Sequence, residues 1–457
     1  MKEHNLTEGN LLKTLLYFSV PFLIANILQS LYGAADLFVV GRYCGSDSVA
    51  AVSTGTQVTQ IVTSLASGLT LGGTILIGES MGSRQYETAR KTIGTMLTIF
   101  AGVAIFLTIV MLAFERPLLY LLHTPEESFA LTVQYITICL AGNIFICGYN
   151  AISAILRGCG DSVRPMVFVG FSCAVNIALD FILVKCFGLG VRGTALATVI
   201  SQAVSLAVAV IYLKRKSFLF DFSFSSFCPS IQIIKRLAGV GIPISFQEMM
   251  VRISFLYLMA VMNSCGIYAA SVVGISGKFD VFAMLSATSM SNALAAITAQ
   301  NTGAGKPGRA KKALWYGMGF ALCASFAFFL WAQLAPQTMI RVFSDDEHVI
   351  AAGAPFFRSC SYDYLMVAVV FCLNGYLNGR QKTVWTMVSC SAGALLLRIP
   401  MVYLFGTYFS DDLGKLGMIA PIVSGIMACY TLAYVIYEGR RDGRQGTLSD
   451  RRSVKTV

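Results

Sequence analysis

Runs of about 20 apolar residues recur from one end of this chain to the other, and they restrict its folds more than any other feature. In hydrocarbon each backbone N–H and C=O must find its partner within the protein, which leaves α-helices or closed barrels. A barrel strand crosses in about 10 residues, so runs of this length call for helices. Charged residues make up only 12% of the 457, against 56% apolar; a soluble domain carries about twice that charge. The fold class expected is an all-α polytopic membrane protein. Twelve transmembrane helices fit the pattern, near 14–40, 49–78, 88–114, 128–156, 163–186, 191–213, 232–262, 267–301, 313–334, 350–377, 384–406 and 416–437.

The hydrophobic plan occurs twice, about 221 positions apart. Val20-Pro21 returns as Ile242-Pro243, and Ala89-Arg90-Lys91 as Ala310-Lys311-Lys312. Leu156, Gly158, Val163 and Met166 return as Leu377, Gly379, Val384 and Met387. The copies differ in their acids: Asp36 corresponds to Leu258 and Asp180 to Met401. A carrier whose ion chemistry sits in the first copy is the reading that follows.

Residues 1–213 form the expected N-terminal six-helix bundle and 232–437 the C-terminal one. A linker covers 214–231, and a basic, disordered tail covers 438–457. Because each half has an even number of spans, the repeats are parallel, with pseudo-twofold symmetry along the membrane normal. Lysine and arginine set the orientation. With the N-terminus inside, 24 of the 34 fall in cytoplasmic segments, which places both termini in the cytoplasm of a plasma (inner) membrane. The net charge of +11 then reflects topology and anionic membrane lipid rather than nucleic acid.

Ser172, Asn176 and Asp180 fall at i, i+4, i+8, so one face of a single helix is polar. An aspartate at mid-membrane costs about 2.5–3.5 kcal/mol on insertion scales unless it is neutral, paired or wetted. Asn176 can donate to an ionised carboxylate or accept from a protonated carboxyl, so it can stabilise either form. On the first span Asn26, Gln29, Gly33 and Asp36 share a face, and Pro21 marks a candidate bend. Gln57 and Gln60 belong to a stripe on the second span that faces either a cavity or a neighbouring helix. In the second half Glu248 and Arg252 stand at i, i+4 and are expected to pair. Lys278 takes the repeat position of Gln57, as a lysine deep in the bundle. Asp280, Arg358, Asp363 and Arg398 complete the charged set. Gln57, Gln60, Lys278, Glu248 and Arg252 are candidates for a substrate cavity.

An enzyme would need a metal set or a nucleophile at depth. His4, His123 and His348 lie outside the spans, and no H-E-x-x-H, G-x-S-x-G or phosphate-binding loop occurs. No cofactor or metal is expected, and transport energy has to come from an ion gradient.

Asp36-Leu-Phe-Val-Val-Gly41, Leu156-Arg157-Gly158-Cys-Gly160-Asp161 and Asn176-Ile-Ala-Leu-Asp180, in this order on two six-span halves, resemble the multidrug and toxic compound extrusion (MATE) family. The resemblance runs from Leu11 to about Tyr437. It implies a monomeric exporter of small organic cations or amphipathic drugs, driven by a coupling cation through alternating access. Within the family the chain is most similar to the branch named for the DNA-damage-inducible protein F. That branch implies a cation-coupling site of Asp36, Asp180 and Asn176, with Pro21 on the first span and with Asn150 or Ser153 and Thr198 as polar neighbours. The NorM branch instead uses a Glu on the seventh span and Asp residues on the tenth, and Glu248 and Asp363 do not match those positions.

The resulting expectation is an antiporter exchanging protons, or sodium, for amphipathic cations. The acids of the first bundle are expected in a wet inner chamber. The alternative is a lipid-linked saccharide flippase of the same superfamily, for which Lys278, Arg252, Arg358 and Arg398 would have to line one cavity.

Overall fold

The computed structural model describes residues 6–121, 124–215, 219–409 and 412–453. Helix dominates it from α1 (Leu11–Tyr43), α2 (Ser46–Gly82) and α3 (Tyr86–Leu121) onward. Asn10 caps α1, its Oδ1 accepting from the Lys13 amide at 3.2 Å. Helix α1 runs unbroken through Pro21.

The fourth expected span is two helices, α4 (Glu126–Ala141) and α5 (Asn143–Gly158), bent by 49°. The break falls at Gly142, where a Cβ would overlap the Val199 side chain. Asn143 stabilises the corner, its Nδ2 donating to the Ala104 carbonyl at 3.2 Å.

Next come α6 (Val163–Asp180), a π-helical turn at Phe181–Cys186, α7 (Gly190–Arg215) and a 3₁₀ turn at Phe224–Phe227 in the linker. The second half follows with α8 (Ile231–Ser264), α9 (Ile267–Gly303), α10 (Pro307–Leu334), α11 (Pro336–Arg341), α12 (Glu347–Cys360) and α13 (Tyr362–Gly379). It closes with α14 (Thr383–Ala392), a second π turn at Gly393–Arg398, α15 (Ile399–Tyr408), α16 (Leu413–Gly417) and α17 (Ile419–Ser453). Among the described residues, 11 helices are long and apolar enough to cross a membrane, or 12 with the bent pair taken as one span. The tail expected to be disordered continues α17 as helix to Ser453; 454–457 lie outside the described residues. Glu438 secures its start by pairing with Arg380 and Lys382, each at 3.3 Å.

The duplication is visible in the backbone. Gly45 and Gly266, Arg84 and Gly305, and Gly160 and Gln381 are pairs 221 residues apart, and all six have positive φ. The helix ends beside them close alike: Gln85 N–H bonds Ser80 O at 2.9 Å and Lys306 N–H bonds Asn301 O at 2.8 Å. Likewise Asp161 N–H reaches Leu156 O and Lys382 N–H reaches Leu377 O, both at 2.9 Å. These six-to-one bonds with a left-handed residue are the usual way to satisfy the last carbonyls of a helix.

The chain divides into two compact units, Met1–Met249 with Ala295–Ala310, and Met250–Leu294 with Lys311–Val457. The first unit therefore contains the leading part of α8 and the last turns of α9. Ile75, Leu76, Leu237, Val240, Ile244, Ala295 and Ala299 pack into one buried seam there. The crossing of α2 and α9 is reciprocal: a Cβ on Gly82 would strike the Gln300 carbonyl, and one on Gly303 would strike that of Glu79. Around this crossing Gln300 Nε2 donates to Gly158 O at 2.8 Å and Arg236 pairs with Glu79 at 2.6 Å. The segment before α1 is held at the same end. Asn301, Lys306 and Arg309 donate to the carbonyls of Leu6, Thr7, Glu8 and Gly9 at 2.7–3.2 Å. In the second unit the core gathers on Met262, Val272, Phe279, Ile340, Phe357 and Val423.

A pair of acids enclosed by the first bundle

Helix α1 lies along α6, with the Cys173 thiol directed at the Leu28 carbonyl, 3.7 Å away. This apposition brings Asp36 of α1 to Asn176 and Asp180 of α6, close enough for their side chains to interact. From α7, Thr198 completes the group, its Oγ1 lying 3.4 Å from Asp36 Oδ2. Burial is nearly total: Asp36 is 4% exposed, Asn176 1% and Asp180 0%. The acids are thus enclosed by protein rather than set in the wet chamber expected, because α1, α6 and α7 pack directly on one another at this level. Among the described residues no lysine, arginine or histidine forms an ion pair with either carboxylate. Neither acid faces lipid.

Asp180 is the last α-helical residue before the π turn Phe181–Cys186. A π turn widens the helix by one residue and is common where a helix serves a site rather than a core. Both Asp180 oxygens, Asp36 Oδ1 and both amide atoms of Asn176 are buried without a well-formed hydrogen bond. Unmet polar capacity of this kind is costly in a low-dielectric interior.

Two residues not anticipated from the sequence border the acids. Tyr32, one turn before Asp36 on α1, and Tyr135 of α4 both lie within the field of the Asp36 carboxylate. The Tyr135 hydroxyl meets Thr56 Oγ1 of α2 at 3.3 Å. Its ring fits because Gly55 has no side chain; a Cβ there would overlap the ring. The i, i+4 spacing of Tyr32 and Asp36 was the available signal for the first. Nothing local marks Tyr135, which reaches the site only because its span is bent.

Other expected site residues fall elsewhere. Ser153 lies beside Tyr149, whose hydroxyl bonds the Pro165 carbonyl at 2.9 Å. That is about 22 Å along α6 from Asp180 at 1.5 Å per residue, so Ser153 is not a neighbour of the acids. Pro21 is separated from Asp36 by a similar length of α1. Asn150 is half-buried on α5 and is absent from the hydrogen bonds of either acid. Gln57 and Gln60 are exposed at mid-span on α2. Glu248 is half-buried and accepts from Ser67 Oγ at 2.7 Å, while Arg252 is exposed. Lys278 is exposed rather than deep, with its ammonium 4.6 Å from the Phe343 ring centroid.

The reading that only the first copy keeps acids within its helices also needs correction. In the second unit Asp363 (4% exposed) and Arg398 (6%) are buried, and Asp280 of α9 lies in the field of both. Asp363 reaches this cluster from the first turn of α13, beside the break that separates it from α12.

The MatE family model matches residues 21–182 and again 243–404. This chain belongs to the MatE family. The two matches cover the two copies of the repeat in register, including both the acidic group of the first and Asp280, Asp363 and Arg398 of the second. MatE proteins are multidrug exporters, so the chain is a multi-pass membrane transporter and not an enzyme. It is 25% identical over 437 residues to "Probable multidrug resistance protein YpnP" of Bacillus subtilis, covering 96% of this chain and 97% of that one. Multidrug export protein MepA of Staphylococcus aureus is 24% identical, over 94% of each chain. A FAD transporter of Shewanella oneidensis is 25% identical, over 95% of this chain and 97% of its own. Among solved structures, a MATE transporter in its bent conformation superposes with a TM-score of 0.90 at 23% identity, covering 98% and 99% of the two chains. The outward-facing conformation of a multidrug resistance MATE transporter gives 0.89, over 95% and 97%. The fold is therefore that of a MATE transporter.

Proposed function

We propose that this MatE protein is a cation-coupled antiporter that exports amphipathic, often cationic organic compounds, with Asp36 and Asp180 as the coupling acids. The proton is the coupling ion in this reading, with sodium second, which puts the chain with the branch named for the DNA-damage-inducible protein F. Both termini face the cytoplasm.

One observation carries the proposal: two buried carboxylates and a carboxamide share one enclosure, and among the described residues no base pairs with them. Two like charges about 4 Å apart repel by about 4 kcal/mol at an effective dielectric near 20. A proton or a small cation relieves that repulsion, so the charge of the cluster is set by the ion gradient. Asn176 and Thr198 can serve either charge state, since an amide both donates and accepts and a hydroxyl rotates. When the ion leaves, the uncompensated charge favours a packing of α1 against α6 and α7 that admits water or a cationic substrate. Drug and coupling ion then compete for the same negative charge, the linkage an antiporter requires.

Exposed glutamines and cations at mid-span do not face hydrocarbon without penalty. In the first unit Gln57 and Gln60, and in the second Arg252 and Lys278, are surfaces where a water-borne substrate is met. The flippase reading needs Arg398 among the residues lining such a cavity. Its burial against Asp363 removes it from that set.

The test is drug-driven proton release in proteoliposomes under separately imposed proton and sodium gradients. Asp36→Asn and Asp180→Asn should each abolish the exchange while leaving folded protein in the membrane. Exchange retained in both variants overturns the assignment.

A further inference from the structure

Arg398 is the last residue of the second π turn, two positions before Pro400, and it points inward. Pro400 has no amide hydrogen to give, and the widened turn before it is where the helix absorbs that loss. One guanidinium nitrogen donates to Ser254 Oγ of α8 at 3.2 Å, and the guanidinium carbon lies 4.3 Å from the Phe255 ring centroid. Asp363 and Asp280 are the acids within its electrostatic reach. Asp363 is also beside Ser424 of α17; Asp280 is beside Tyr364 and Ser276. Ser276, one turn before Asp280, touches the Cys360 thiol at 3.8 Å and ties α9 to α12. Five helices thus converge on two acids and one base. Arg398 Nε and Asp363 Oδ1 remain buried without hydrogen bonds, so neither the base nor the acid is fully partnered.

We propose that Arg398 is a built-in cation for the second bundle, filling with a tethered guanidinium the role that an exchangeable ion would otherwise fill beside Asp363 and Asp280. An arginine stays charged and cannot diffuse away, so this cluster keeps the same countercharge throughout the transport cycle. The acidic cluster of the first bundle has the opposite design: two acids that, among the described residues, have no base paired with them. Coupling through the first bundle alone is a corollary that rests on the antiport reading above; the tethered-cation assignment does not.

The assignment predicts that deleting the guanidinium creates a binding site for a free monovalent cation. Full-length protein in detergent is heated at equal ionic strength in choline, sodium or guanidinium chloride at about 20 mM. Arg398→Ala should lower the unfolding midpoint in choline by at least about 5 °C. Sodium or guanidinium should restore part of that loss, and neither should shift the wild-type protein. Arg398→Met combined with Asp363→Asn should recover much of the midpoint and blunt the cation response, because Asp280 is then the one acid of the cluster left to demand a countercharge. An Arg398→Ala midpoint indifferent to both cations overturns the proposal. If Arg398→Ala does not fold, the double variant decides: a folded double variant supports the assignment and an unfolded one overturns it. The readout needs no transport, so a failure of Asp36→Asn and Asp180→Asn to stop proton exchange would strike the antiport reading and leave this one standing.

Discussion

Thr198 stands between two acceptors, with its Oγ1 3.1 Å from the Thr194 carbonyl and 3.4 Å from Asp36 Oδ2. A hydroxyl has one hydrogen to give. In this geometry the shorter contact is the helix carbonyl one turn back, and a small rotation hands the hydrogen to the carboxylate. Thr198 is therefore placed to follow the charge on Asp36.

Thr198→Val should weaken drug-driven proton exchange by about tenfold or more, since hydrogen bonds to charged groups are worth about 1.5–3 kcal/mol. Thr198→Ser should retain it. The comparison is made by proton release per drug bound, with thermal unfolding to verify that both variants fold alike. Equal exchange in Val and Ser variants removes Thr198 from the coupling group.

The crossing of α2 and α9 allows a contrast between charge and packing. Glu79 and Arg236 are partly exposed, 33% and 50% by side chain, and a pair so open to solvent is worth at most about 1 kcal/mol. Glu79→Gln should barely move the unfolding midpoint. Gly303→Val drives a side chain into the Glu79 backbone carbonyl, which cannot rotate away, and overpacking of this kind costs about 1–3 kcal/mol or more. Thermal unfolding in detergent should rank the Gly303 variant well below the Glu79 variant.

The linker is strapped to the first turns of α3 by Asp221. Its carboxylate accepts from Ser226 Oγ at 2.6 Å and from the Ser223 amide and hydroxyl at 3.3 and 3.1 Å, and it pairs with Arg90 at 3.2 Å. The Ser226 hydrogen bond first, then those from Ser223 and the Arg90 charge, hold this carboxyl down at about 2. A depressed carboxyl contributes above its ordinary value, near 3.8, and loses that contribution as pH falls toward 2. Amide protection over 219–230, taken relative to the intrinsic exchange rate at each pH, should accordingly show no titration of the strap between pH 5 and 8. Protection should fall below about pH 4, and Asp221→Asn should lower it already at neutral pH.

Two exposed cysteines flank α7, Cys186 at the very end of the span before it and Cys228 in the linker after it. With both termini inside, a charged maleimide added to intact cells should label a version retaining only Cys186. A version retaining only Cys228 should need permeabilised cells. The reverse pattern overturns the orientation.

The amino-acid sequence alone determined the helical spans, the duplication and the polar face of α6. Each of these is a local regularity: apolar length, a fixed offset, or i, i+4 spacing along one helix. Ser172, Asn176 and Asp180 share a face whatever surrounds them. Tertiary structure decided which faces meet. It set Asp36 beside Asp180, brought in Tyr135 through the bend at Gly142, and left Ser153 at the far end of α6. It also gathered Asp280, Asp363 and Arg398 from separate helices into one cluster, although along the chain they read as scattered charges. The rotation of each helix about its axis depends on close approaches such as Gly55 against Tyr135 and Gly82 against Gln300. Those contacts join positions remote in the chain, and no local periodicity encodes them.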